Sequence, residues 1–148
     1  MAESYTLFST CFILQTSKEQ EWFKEVVALT HDPEEKPAGL TEDEIARLCN
    51  TQDVYGSCDV DIEGDLAYLC SEEQGSTDYA ECIMQLYLCR FHPKAAMTLE
   101  VAYACSKSRP GEFGGAAAYI TASNVEWMST QEWIKTKRSG SNVTILGK

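Results

Sequence analysis

The stretch Tyr5-Thr6-Leu7-Phe8-Ser9-Thr10-Cys11-Phe12-Ile13-Leu14-Gln15 decides the fold. It is rich in β-branched and aromatic residues and has neither Gly nor Pro, so it predicts a strand. Successive side chains of a strand point to opposite faces of its sheet. Tyr5, Leu7, Cys11 and Ile13 therefore share one face, and Phe8, Phe12 and Leu14 share the other. Both faces are largely apolar, which puts this strand in the centre of a sheet that needs cover on two sides.

Downstream of it, Ser17 and Gln20 have the spacing of a capping box, and Trp22, Phe23, Val26 and Val27 recur at helical spacing behind them. Pro33, Pro37 and Gly39 mark a loop, and Thr41 with Glu44 begins a second, short helix with Ile45 and Leu48 on its apolar side. Residues 59–62 alternate acid and aliphatic, Glu63-Gly64-Asp65 reads as a tight turn, and an apolar strand returns over residues 66–71, giving a β-hairpin. Tyr79, Cys82, Ile83, Leu86 and Cys89 or Arg90 line one face of another helix, which Pro93 closes. A strand over residues 97–105 and a strand of small residues over 116–121 follow. Ser123 with Glu126 and Ser129 with Glu132 then predict a short, broken helix carrying Trp127, Met128, Trp133 and Ile134.

This order predicts an α+β domain over residues 1–138, with residues 139–148 as a flexible tail. Its core is a ferredoxin-like β-α-β-β-α-β unit with an antiparallel sheet, one added strand and a short C-terminal helix. Both main helices are expected on one face. The remaining apolar face, assigned to Phe8, Phe12 and Leu14, then becomes a candidate dimer face.

Composition limits what such a domain does. Of its 148 residues, 23 are acidic and 12 are Lys or Arg, for a formal net charge of −11. Fifteen of the acids fall between Asp32 and Glu81, opposed there only by Lys36 and Arg47. A field of that sign argues against direct nucleic-acid binding, whose affinity rests on basic residues neutralising phosphates. It suits a basic partner. Glu42, Asp43, Glu44, Asp59, Asp61 and Glu63 are the candidate acidic binding surface, and another protein, itself a nucleic-acid binder, is the partner such a surface suits.

The longest apolar run is too short to span a membrane, and Met1-Ala2-Glu3-Ser4 lacks the basic start of a secretory signal, so a cytoplasmic protein is expected. Residues 59–65 match the first half of a calcium-binding EF-hand loop, but the twelfth position, which needs a bidentate carboxylate, is Cys70. Seven cysteines and two histidines show no metal-ligand spacing, and neither His31 nor His92 is placed as an obvious base for a cysteine nucleophile. No metal, no cofactor and no catalytic residue are therefore assigned. Lys107 and Arg109 beside Gly114 and Gly115 form a candidate anion-binding loop, for which a close strand connection is the plainer explanation.

The run Cys105-Ser106-Lys107-Ser108-Arg109, Glu112-Phe113-Gly114-Gly115-Ala116-Ala117, Ile120-Thr121 and Trp127-Met128 resembles a block in small uncharacterised bacterial and phage- or plasmid-borne proteins. The resemblance covers residues 97–133. It implies a mobile-element context and brings no activity, cofactor or catalytic residue with it. The sequence thus points to a non-enzymatic, phage-associated interaction protein that binds a basic protein surface. The alternative is a homodimer of the α+β-barrel kind, with a small-molecule pocket between two sheets.

Overall fold

A computed structural model describes residues 3–31, 39–51, 58–73, 77–109, 113–140, 144 and 146. The elements run β1 (Ser4–Ile13), α1 (Ser17–His31), α2 (Glu42–Thr51), β2 (Asp59–Glu63), β3 (Leu66–Ser71), α3 (Thr77–Phe91), β4 (Ala96–Cys105), β5 (Gly114–Thr121), β6 (Val125–Ser129) and α4 (Thr130–Ser139). The six strands form one antiparallel sheet in the order β2-β3-β1-β4-β5-β6. The protein is an α+β fold with the first strand at the centre of its sheet, as its two apolar faces demand.

β1 divides its length between two neighbours. Residues 4–7 pair with β4, ending at Leu7 opposite Ala102, and residues 8–13 pair with β3, from Phe8 opposite Ser71 to Ile13 opposite Leu66. β2 and β3 are joined through Gly64 and Asp65, with Gly64 at φ +63° while Asp65 keeps a negative φ, the pattern of a type II′ hairpin turn.

The core lies on one face only. Phe8, Ala67, Leu69, Leu99, Val101, Ala118 and Ile120 pack there against Trp22, Phe23, Val26 and Leu29 of α1, Leu48 of α2, and Tyr79, Ile83 and Met84 of α3. Phe12 joins them, its ring 5.7 Å from that of Phe23 and 4.9 Å from that of Tyr87. Each large apolar side chain buried this way contributes about 1.5–3 kcal/mol. This corrects the assignment of Phe8, Phe12 and Leu14 to a dimer face. Phe8 is 5% and Leu14 1% exposed, because the helices that follow β1 fold back onto that side.

α3 is buried around more of its circumference than a single stripe predicts, since α2 lies along it. Arg47 Nη2 donates to Gln85 Oε1 at 2.9 Å and Arg90 Nη1 to Glu44 Oε1 at 2.7 Å. Cys89 and Arg90, candidates for its buried face, are exposed.

The helix starts separate real caps from apparent ones. Thr41 and Glu44 form a reciprocal capping box, the Glu44 amide donating to Thr41 Oγ1 at 3.1 Å and the Thr41 amide to Glu44 Oε1 at 3.0 Å. Ser129 and Glu132 form another, at the start of α4. The first helix is capped instead by Thr16, whose Oγ1 accepts from the Glu19 amide at 3.2 Å. The signal at Ser123 and Glu126 forms no cap. Residues 125–129 are a sixth strand, because Val125 and Trp127 alternate onto the core and Trp127 Nε1 donates to Glu81 Oε1 at 2.6 Å. Two strands rather than one are therefore added beyond β4. Ser139 ends α4, so that position is not tail, and most of residues 141–148 lies outside the described residues.

Candidate functional site

Among the described residues, the face of the sheet turned away from α1, α2 and α3 is open. Strand parity places on it Tyr5, Leu7, Ser9, Cys11 and Ile13 of β1, with Tyr68 of β3 opposite Cys11 and Cys70 opposite Ser9. It continues through Glu100 and Ala102 of β4, Gly115, Ala117 and Tyr119 of β5, and Glu126 and Met128 of β6. Ile13, Tyr119 and Met128 are each more than half exposed. Large exposed apolar side chains on so broad a sheet face make it the candidate site.

Its charge has one sign. None of the six strands contains Lys, Arg or His, and their five carboxylates, Asp59, Asp61, Glu63, Glu100 and Glu126, all project from the open face. The reason is positional. Val60 and Ile62 turn β2's alternate residues to the core, as Leu99 and Val101 do in β4 and Val125 and Trp127 in β6, leaving the acids outward. Two shallow depressions cross this face. One, of about 620 Å³, is lined by Leu7, Ser9, Cys70 and Glu100 among others. The second, of about 750 Å³, is lined by Glu100, Ala117, Tyr119, Glu126 and Met128. They share Glu100 and together form a trough in which that carboxylate stands among the small side chains of Ala102, Gly115 and Ala117.

The predicted acidic surface is split by this geometry. Asp59, Asp61 and Glu63 lie on the open face, whereas Glu42 and Asp43 are exposed on α2, in the helix layer on the other side of the sheet. Glu44 is not a surface acid. It is buried, and besides its cap it accepts from Trp22 Nε1 at 2.7 Å and from Arg90. Glu100 and Glu126 belong to the surface although they lie outside the acid-rich third. Their signal in the sequence is an acid flanked by two core residues, Leu99 and Val101 in one case and Val125 and Trp127 in the other.

Gly114 and Gly115 are ladder residues of β5, opposite Tyr103 and Ala102. A Cβ on Gly115 would lie 3.1 Å from the Val101 carbonyl oxygen, and one on Gly114 would lie 3.1 Å from Thr130 Oγ1. Close approach, rather than an anion nest, explains both glycines. Lys107 and Arg109 are exposed just before residues 110–112, which lie outside the described residues.

A second polar cluster sits inside the helix layer. Glu19, in the first turn of α1, is buried, and its Oε1 accepts from Tyr87 Oη at 2.5 Å and faces His92 Nε2 at 2.5 Å. Burial alone would raise the Glu19 carboxyl, but hydrogen bonds from Tyr87, His92 and Thr16 outweigh it and hold the group below the usual carboxylate range. Burial, then the hydrogen bond to Glu19 and its charge, push the Tyr87 phenol well above its ordinary value. Sequence reading missed Glu19, since one acid in a polar first turn looks like any solvated residue. The cluster ties α1 to the end of α3, where the rings of Trp22, Tyr87 and Phe91 pack together, Trp22 and Phe91 edge to face and the other two pairs tilted.

Three of the cysteines are held as thiols. Burial pushes Cys58 up to about 12, and raises Cys82 and Cys70, the latter also facing Asp59, Glu72 and Asp61. Among the described residues, no group of three or more His, Cys, Asp or Glu is placed to hold a metal ion, and no helix is long and apolar enough to cross a membrane. Comparison with protein-family models, with curated proteins and with solved structures yields no match.

Proposed function

We propose that this is a non-enzymatic interaction protein whose open sheet face binds a basic protein surface. The observation that carries the reading is the charge of that face: five carboxylates, no basic side chain, and apolar residues between them. A partner able to bury Ile13, Tyr119 and Met128 must also bring cations to Glu100 and Glu126, since desolvated carboxylates need a counter-charge. Asp59, Asp61 and Glu63 stand at every second residue, about 7 Å apart by strand geometry, a row comparable to backbone phosphates. A nucleic-acid-binding protein presents the matching basic groove, and the mobile-element resemblance supports a host protein of that kind.

The core behind the face we read as ferredoxin-like. The order β2-β3-β1-β4, all antiparallel, with α1 and α3 on one side, supports that reading, and β5, β6 and α4 extend it. An α+β-barrel dimer packs two such sheets face to face. Here that arrangement sets carboxylates against carboxylates with no base to compensate, which favours a basic partner over a second identical sheet.

The test uses a synthetic amphipathic Lys/Leu helix as the probe. Added to the isotope-labelled protein, it should shift the amides of Cys11, Tyr68, Glu100, Tyr119 and Met128, and its affinity should fall steeply with salt. Shifts confined to the helix layer, or an affinity indifferent to salt, would overturn the proposal.

A further inference from the structure

Among the described residues, α4 is the one helix with no buried residue. Ten residues are fewer than the roughly 12–15 at which an isolated helix becomes stable in water, yet α4 carries Trp133 and Ile134, both largely exposed. The side chains that helical spacing groups with them are Lys137 and Arg138, and Lys137 Nζ lies 5.5 Å from the centre of the Trp133 ring. α4 therefore presents an exposed apolar and basic face. The trough across the open sheet face is apolar and acidic.

We infer that α4 of a second copy of this chain docks in that trough, in a reciprocal two-fold dimer. The inference rests on the reading of the open face as a docking surface for basic partners, and it names one such partner. Three features make the fit. The floor over β4 and β5 is formed by Ala102, Gly115 and Ala117, so that Glu100, opposite Ala117, is the one long side chain rising where the body of a helix would lie. Tyr119 and Met128 stand beside it to pack against Trp133 and Ile134. Glu100 and Glu126 are placed to meet Lys137 and Arg138, whose charges at the C-terminal end of α4 also suit its dipole. α4 follows directly from β6, the strand that bounds the trough, so an axis near this edge lets each helix reach the other's trough. Two copies joined this way cover the apolar face without bringing like charges together. An incoming basic partner then has to displace α4, so self-association restrains partner binding.

The experiment is light scattering on the full chain and on two charge-reversed variants, Lys137→Glu/Arg138→Glu and Glu100→Lys/Glu126→Lys. The wild type should dimerise at low salt and dissociate as salt rises. Each variant alone should be monomeric with an unchanged circular dichroism spectrum, and an equimolar mixture should regain the dimer, because an acidic α4 then meets a basic trough and a basic α4 an acidic one. A wild type that stays monomeric at low salt, or a dimer that survives both reversals, would overturn the inference. Binding of the Lys/Leu helix by a monomeric wild type would leave the reading of the open face intact while removing the second copy from it. A dimer that fails to bind the probe even after Lys137→Glu/Arg138→Glu releases the trough would remove the wider reading instead.

Discussion

His92 Nε2, just past the end of α3, lies 2.5 Å from Oε1 of Glu19, in the first turn of α1. The contact closes the helix layer at the end where β1 runs into α1, and Tyr87 reaches the same oxygen while its hydroxyl lies 3.3 Å from the Ile13 carbonyl. Tyr87 and His92 both reach Oε1, and the other oxygen, Oε2, has no hydrogen-bond partner among the described residues, so the buried carboxylate depends on both contacts.

Removing one donor should show this. Tyr87→Phe deletes a hydrogen bond to a charged acceptor and should cost about 1.5–3 kcal/mol. Urea unfolding with an unchanged slope would give that value, and a loss below a few tenths would mean that the carboxylate finds another donor.

The same carboxyl gives stability a defined pH dependence. Its folded-state value is lowered, so its contribution is complete above the unfolded carboxyl value and is lost as pH falls through the folded one. Glu19→Gln should therefore be less stable than the wild type near neutrality, with the gap narrowing below about pH 4. Thermal melts of both proteins across the acid range would record it. A gap that widened in acid would contradict the assignment.

Acids adjacent in sequence should behave differently. Glu44→Ala strips Trp22, Arg90 and the Thr41 amide of their acceptor and should cost about 1–3 kcal/mol, whereas Glu42→Ala and Asp43→Ala should leave the melting temperature almost unchanged. Equal effects at the three positions would show that α2 is held some other way.

Two glycines should be intolerant for different reasons. At Gly64 a Cβ meets nothing within 4 Å, but φ is +63°, so Gly64→Ala should cost about 1–2 kcal/mol from backbone conformation alone. At Gly115 the obstacle is a backbone oxygen 3.1 Å away, and Gly115→Ala should lower the melting temperature by pressing β5 away from β4. Wild-type melting of Gly115→Ala would indicate slack in that pairing.

Thiol labelling should sort the cysteines by location. Cys11, Cys49 and Cys89 are exposed and should react with an aromatic disulfide in the native protein, while Cys58 and Cys82 are buried and should wait for unfolding. Fast native labelling of Cys58 would mean that the core around it opens readily.

Much of this fold is written in local pattern. The apolar faces of residues 5–15, the Gly64-Asp65 turn and the Thr41–Glu44 box each state their structure within a few residues. What sequence reading lost was decided at a distance. Which face of β1 the helices would choose depends on packing between elements far apart in the chain, so Phe8 and Phe12 and their opposite neighbours Leu7 and Ile13 look equivalent until the helices are in place. Residues 123–129 offered both a serine at a helix-start spacing, Ser123 before Glu126, and a period-two alternation, and pairing with β5 made residues 125–129 a strand. Glu44 looked like one more member of an acidic run because burial is invisible in composition. The candidate surface was legible only in its β2 portion. Glu100 and Glu126 join it through sheet register, which no single strand records.

β2 is the outermost strand on its side of the sheet, five residues long, with a carboxylate at every second position. An uncovered strand margin is where sheets of different molecules can join into continuous ribbons, and short length and charge are what prevent it. Asp59, Asp61 and Glu63 thus also keep the sheet finite. Neutralising them, by acid conditions or by substitution with Asn and Gln, removes that protection and leaves the edge able to pair with another strand.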